Sequence, residues 1–315
     1  MKVLVTGAAG FIGMHCAARL LARGDQVIGI DNLSPYYSVE LKKDRLKQLG
    51  AMRFEKINLA EAGPVENMMQ SVKPDAVLHL AAQPGVRYSL ENPAACVESN
   101  LVGFANLLEC CRRHPPGNLV FASSSSVYGS NPRLPWSESD EVDHPVSLYA
   151  ATKKSNELMA HAYSHLHGIP ATGLRYFTVY GPWGRPDMSP MLFAHAIMQG
   201  KPIALFNHGD MQRDFTYIDD IVEGTLRVLD KPQANALYNI GNHRAVGLPD
   251  YVAALESALG KKALLVMKPM QPGDIKATYA DTSALKKAVG FAPSTTLADG
   301  LERFAGWFKG YYGYR

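Results

Sequence analysis

A chain of 315 residues, 47% hydrophobic and 19% charged, can bury one large core or two adjoining ones and lacks the bias of a disordered protein. Its net charge of +3 comes without a dense Lys/Arg run, which argues against nucleic acid or a membrane surface as partner and leaves a small molecule as the expected ligand. No stretch approaches a membrane span, the opening apolar run stops too early for an export signal, and Cys16, Cys96, Cys110 and Cys111 form no C-x-x-C pair or disulfide-like framework, so a cytoplasmic protein is expected.

The first predicted strand, Val3-Leu4-Val5, runs directly into Gly7-Ala8-Ala9-Gly10-Phe11-Ile12-Gly13, and the residues through Leu21 read as a helix. Glycines at a strand-to-helix turn let backbone approach a pyrophosphate, with the helix N-terminus facing its charge. A second apolar run, residues 27–30, ends at Asp31-Asn32. A carboxylate there accepts hydrogen bonds from a ribose 2′-hydroxyl and repels a 2′-phosphate, which favours NAD over NADP. Asp31 also suits a cap or turn.

Further strands are expected at residues 52–57, 76–80, 119–122 and 171–175, each separated from the next by a helix-length amphipathic segment. Six such strands make an α/β fold with a doubly wound parallel (Rossmann) sheet. The fifth leads into Ser123-Ser124-Ser125-Ser126-Val127-Tyr128-Gly129, at the carboxyl end of a strand where α/β enzymes place their chemistry. Tyr149 and Lys153 follow on one face of a helix read through about His167, so their ends can meet one substrate. A phenol loses its proton near pH 10, and bringing that to neutrality is worth about 4 kcal/mol, which nearby positive charge can supply. Beyond Thr178 the βαβ rhythm gives way to a loop, Gly181-Pro182-Trp183-Gly184-Arg185-Pro186, and mixed short elements. Residues 1–178 are therefore expected to bind NAD, and residues 179–315 to form a smaller α/β substrate lobe with some segments interleaved. His161 and His165 lack an H-E-x-x-H context, and no metal is expected.

The glycines at 7, 10 and 13 together with Tyr149-x-x-x-Lys153 resemble the extended short-chain dehydrogenase/reductase family over essentially the whole chain. The resemblance implies that Asn58 and Leu59 lie beside the adenine, Leu80, Ala81 and Ala82 along the cofactor, Asn100 behind the nicotinamide half and Tyr176 near its end, with Ser123 also at the cofactor. Most relatives carry aspartate in place of Asn58. Ser124 resembles the Ser or Thr that relays a sugar hydroxyl proton to Tyr149, while Lys153 completes the catalytic set. Dehydratases of the family place Thr-Asp-Glu before Val-Tyr-Gly, and decarboxylases Thr-Ser-Glu; Ser125 and Ser126 stand here where those carboxylates would be. Eliminating water needs an extra acid and base, and epimerisation needs neither.

Residues 175–182 and 184–188 resemble UDP-glucuronate 4-epimerases, which implies that Ser125, Ser126, Thr178 and Arg185 receive a sugar carboxylate or the diphosphate beside it. Arg185 could instead be a solvated loop charge or fix the Asp187 turn. Arg213 resembles the family's diphosphate-binding arginine, and Phe206 is a candidate to stack on uracil or a core residue. The implied reaction is reversible C4 epimerisation of a UDP-sugar through a 4-keto intermediate. UDP-glucose 4-epimerisation and a non-catalytic NAD-binding scaffold or sensor are the alternatives. The resemblance also implies a homodimer, formed by residues 95–112 and the helix carrying Tyr149.

Overall fold

The computed structural model describes residues 1–270 and 275–314. The predicted strands form as β1 (Lys2–Thr6), β2 (Gln26–Asp31), β3 (Arg53–Lys56), β4 (Ala76–His79), β5 (Asn118–Ser124) and β6 (Ala171–Tyr176). The second half adds β7 (Thr178–Tyr180), β8 (Pro202–Leu205), β9 (Gln212–Tyr217), β10 (Asn235–Ile240), β11 (Ala245–Gly247) and β12 (Leu264–Met267).

The large sheet has seven strands rather than six, in the order β10-β6-β5-β4-β1-β2-β3, and every neighbouring pair is parallel. Helices cover both faces, so β1 alternates its side chains between two cores: Val3 and Val5 face one, Leu4 the other. The seventh strand comes from beyond residue 178. Helix Ile218–Leu229 packs against helix Phe11–Ala22, and the chain then returns as β10, paired with β6 from Asn235 opposite Ala171 to Ile240 opposite Tyr176. Two of its six residues are asparagine and only its last two are buried, so no continuous apolar run marks it.

The remaining strands make a three-stranded sheet, β11-β9-β7, and a parallel pair, β12-β8. The strand order of the large sheet reverses at β1 and β4, and the crevice at their carboxyl ends is where such sheets receive ligands. Among the described residues no helix is long and apolar enough to cross a membrane.

Candidate active site

A cleft of about 350 Å³ opens at that reversal point. Its first wall is the turn after β1. Gly7 sits at φ +73°, and a Cβ there would lie 2.7 Å from the Ala81 nitrogen. A Cβ on Gly13 would lie 2.0 Å from the Gly7 carbonyl oxygen, so both positions exclude a side chain. Gly10 caps helix Phe11–Ala22 without a side-chain hydrogen bond, and Gly10 to Gly13 line the cleft, leaving the helix N-terminus turned toward it. Thr6 fastens the opposite strand end, accepting from the Ala81 N–H at 3.2 Å and pairing with His79 at 2.8 Å.

Asp31 ends β2 at the cleft, its carboxylate accepting the Leu33 and Ala9 N–H groups at 2.8 and 3.2 Å. Burial raises its pKa, against the charge of Lys42 and these two backbone bonds. This cradle fits a dinucleotide: a glycine turn no side chain can enter, a helix N-terminus for the pyrophosphate, and a carboxylate for the ribose.

The chemistry-bearing groups gather at the ends of β5 and of helix Leu148–His167. Ser147 starts that helix by accepting from the Ala150 N–H at 3.1 Å, and Gly168 at φ +66° ends it. Its first turns place Tyr149 and Lys153 at the cleft beside Ser123, Ser124, Ser125 and Ser126. The four serines do not share one direction. Ser124 ends the strand and Ser125 starts a 3₁₀ turn, so Ser123 points down to donate to Glu157 at 2.6 Å while the Ser124 hydroxyl meets Ser126 at 3.2 Å.

Burial raises the Tyr149 pKa, while a hydrogen bond with Ser124 and the charge of Arg185 act to lower it. Lys153 is only 2% exposed and donates to the Ala122 carbonyl at 2.8 Å. Burial pushes its pKa down to about 8, opposed by Cys96 and Glu157. The ammonium is thus still protonated at neutral pH, in the same cleft as the Tyr149 phenol.

That depressed pKa has a consequence for stability. A free lysine loses its proton near 10.4, so the folded state holds this proton more weakly than the unfolded chain, by about 3 kcal/mol. The penalty is complete below about pH 8 and fades as pH rises toward 10. Lys153→Met is therefore expected to abolish turnover yet unfold at higher urea than the parent at pH 7, with the gap shrinking by pH 10. An equal gap at both pH values would rule out a buried ammonium as its origin.

Arg185 reaches the same cleft and also holds its own loop, so the ligand and turn-fixing readings are compatible, while its pairing with Asp187 and its partial burial do not fit a solvated loop charge. It pairs bidentately with Asp187 at 3.1 and 2.5 Å, and Tyr36 donates to that carboxylate at 2.9 Å. Burial opposes its charge, but the Asp187 carboxylate holds its pKa above the ordinary value. Thr178 lines the cleft nearby, as do Asn32, Leu59, Leu80, Ala82 and Tyr176. The Tyr176 hydroxyl turns away into the core, 3.0 Å from Thr225.

Four of the expected residues, Asn58, Asn100, Phe206 and Arg213, are not in the wall of this cleft. Asn58 lines a neighbouring hollow with Asn32 and Lys56. Asn100 stands behind the wall, clamping Gln83 through its backbone N–H at 2.8 Å and carbonyl at 3.1 Å. Phe206 packs against the core that also takes Val3 and Val5, under the guanidinium of Arg87 at 5.8 Å, and Arg213 donates to the Gln212 and Lys276 carbonyls. Conversely, Tyr36, Tyr37, Lys42 and Gln83 to Val86 line the cleft unforeseen. Only the paired aromatics of Tyr36-Tyr37, in the loop after β2, could have drawn attention to it.

Comparison with known proteins sets this site in a family. A Staphylococcus aureus protein called Protein CapI is 49% identical, covering 99% of both chains. UDP-glucuronate 4-epimerase 3 of Arabidopsis thaliana is 46% identical over 99% of this chain and 77% of its own length. A crystal structure of UDP-glucuronic acid 4-epimerase from Bacillus cereus, in complex with UDP-glucuronic acid and NAD, superposes with a TM-score of 0.93 at 35% identity, covering 99% of this chain and 100% of that one. Residues 3–241 match the family model, and with the glycine cradle, Tyr149 and Lys153 in one cleft, the chain belongs to the NAD dependent epimerase/dehydratase family.

Proposed function

We propose that this protein is an NAD-dependent 4-epimerase interconverting UDP-glucuronate and UDP-galacturonate. The observation that carries the reading is the meeting of Tyr149 and Lys153 with Ser124, Ser125, Ser126, Thr178 and Arg185 around a single cleft. Every residue that would receive a sugar carboxylate there is a hydroxyl or a cation, and no carboxylate faces the sugar from the serine turn.

Gly7, Gly10, Gly13 and Asp31 would hold NAD, which would supply a hydride acceptor and donor at C4. Tyr149 takes the C4 hydroxyl proton, Ser124 aligns that hydroxyl, and Lys153 keeps positive charge near the phenolate that forms. Loss of the C4 hydride and hydroxyl proton leaves a 4-keto sugar, which turns over and is reduced on its other face as Tyr149 gives the proton back. With a glucuronate this ketone is a β-keto acid prone to release carbon dioxide. Ser125, Ser126 and Thr178 hold the carboxylate out of the alignment that reaction needs, and Arg185 fixes its charge or that of the diphosphate.

Proton NMR of the protein with UDP-glucuronate tests the reading, with UDP-galacturonate as the expected product. UDP-xylose in its place, or turnover of UDP-glucose alone, would overturn the substrate assignment. We further propose a cytoplasmic homodimer, in keeping with four unpaired cysteines. Helices Gly103–Arg113 and Leu148–His167 pack side by side, and Val102, just before the first, and Leu158 and Leu166 on the second stand exposed, as the apolar face of a helical interface would.

A further inference from the structure

Arg45, on helix Val39–Lys47, is completely buried, yet none of its hydrogen bonds reaches a carboxylate. A guanidinium has five N–H donors, and all five are used. Nε donates to the Trp183 carbonyl at 3.0 Å, Nη2 to the Trp183 and Gly184 carbonyls at 2.7 and 3.1 Å, and Nη1 to the Ala9 carbonyl at 3.1 Å and the Tyr37 hydroxyl at 2.7 Å. Burying a cation against neutral partners is costly, and this arrangement is held only by complete satisfaction of the fork.

The four acceptors, the Trp183 carbonyl being used twice, belong to three segments that meet nowhere in sequence. Ala9 lies in the glycine turn, Tyr37 in the loop after β2, and Trp183-Gly184 immediately before Arg185. Trp183 itself sits at φ +63°, an uncommon conformation for so bulky a residue, with its ring against Trp307 and Tyr311 of the C-terminal helix. Arg45 grips the carbonyls on either side of the Trp183-Gly184 bond, and the loop leaves that grip pointing Arg185 into the cleft.

We propose that Arg45 is a positioning residue that locks the Arg185 loop to the cofactor turn and thereby sets recognition of the acidic sugar nucleotide. This rests on the substrate reading given above. A lysine cannot replace it, because one ammonium offers three donors from a point and cannot span three segments.

The test compares the parent, Arg45→Lys, Arg185→Lys and the double variant, with kinetics on UDP-glucuronate normalised to folded, NAD-loaded protein. If the parent leaves UDP-glucuronate unchanged, the substrate reading fails and Arg45 is not in question. If the parent turns it over, Arg45→Lys is expected to raise KM about tenfold or more with a much smaller change in kcat. In the Arg185→Lys background the same substitution should raise KM far less, because Arg45 acts through Arg185. Equal KM effects in both backgrounds, or a fall in kcat alone, would overturn the proposal. Should Arg45→Lys not fold, Tyr37→Phe removes a single acceptor of the fork; a KM unchanged there, or raised equally with and without Arg185, would overturn it as well.

Discussion

Tyr149→Phe is expected to lower kcat by about 10³-fold or more while NAD remains bound in the purified protein. Removing the hydroxyl deletes a group at the cleft that combines the position of a base with a hydrogen bond to Ser124. The ring stays, so the packing of the helix start is preserved. The environment of this phenol is divided: burial favours the protonated form, while Ser124 and Arg185 favour the anion. Lys153, protonated below about pH 8, adds positive charge on the same helix face. Proton transfer is thereby tied to a cation close by, which suits a group that must take up and release one proton within a single turnover. The check is product formation by NMR together with the 260 nm absorbance of retained cofactor. Turnover near the parent rate would place the base elsewhere, whereas loss of NAD along with activity would make the tyrosine a binding group.

Much of this arrangement can be read in the sequence because it depends on local signals. The glycines at 7, 10 and 13 announce a turn that side chains cannot enter, and the structure shows the physical reason in a Cβ at Gly13 that would strike the Gly7 carbonyl. Tyr149 and Lys153 share a helix face by spacing alone. Long-range pairings carry no such signal. β10 is recognisable as a strand of the large sheet only through its pairing with β6, some 60 residues earlier, roughly the span from Ala171 to Asn235. Asn100 illustrates a different limit: the family resemblance implies a place behind the cofactor, but only the fold shows that its amide clamps the cleft-lining Gln83. The four serines look equivalent in sequence, and the switch from strand to 3₁₀ turn at Ser125 gives Ser123 a different partner from Ser124. Arg45 is silent too, since a buried arginine on a charged helix reads as a surface residue until its acceptors are assembled by the fold.

The second large effect is expected beneath the serine turn. Glu157, four residues beyond Lys153, forms a bidentate pair with Arg175 of β6, both bonds at 2.8 Å, and neither side chain is more than 3% exposed. The network continues upward through Ser123 and sideways from Arg175 to the Tyr128 hydroxyl at 3.0 Å, which donates to Asn239 of β10 at 2.7 Å. Glu157→Leu strands a guanidinium in the core and is expected to cost about 3–5 kcal/mol, as is Arg175→Leu, which strands the carboxylate. Replacing both together removes the unpaired charge, so Glu157→Leu combined with Arg175→Leu should cost much less than the sum of the two. Urea unfolding of the three variants measures this, and additive losses would show that packing rather than charge pairing is at stake. Recovered stability is not expected to bring recovered activity. Ser123 loses its acceptor in the double variant and Tyr128 loses its donor, so the turn that presents Ser124 to Tyr149 is no longer anchored from below. A double variant that is both stable and fully active would show that the ion pair supports the fold alone and has no part in holding the serine turn.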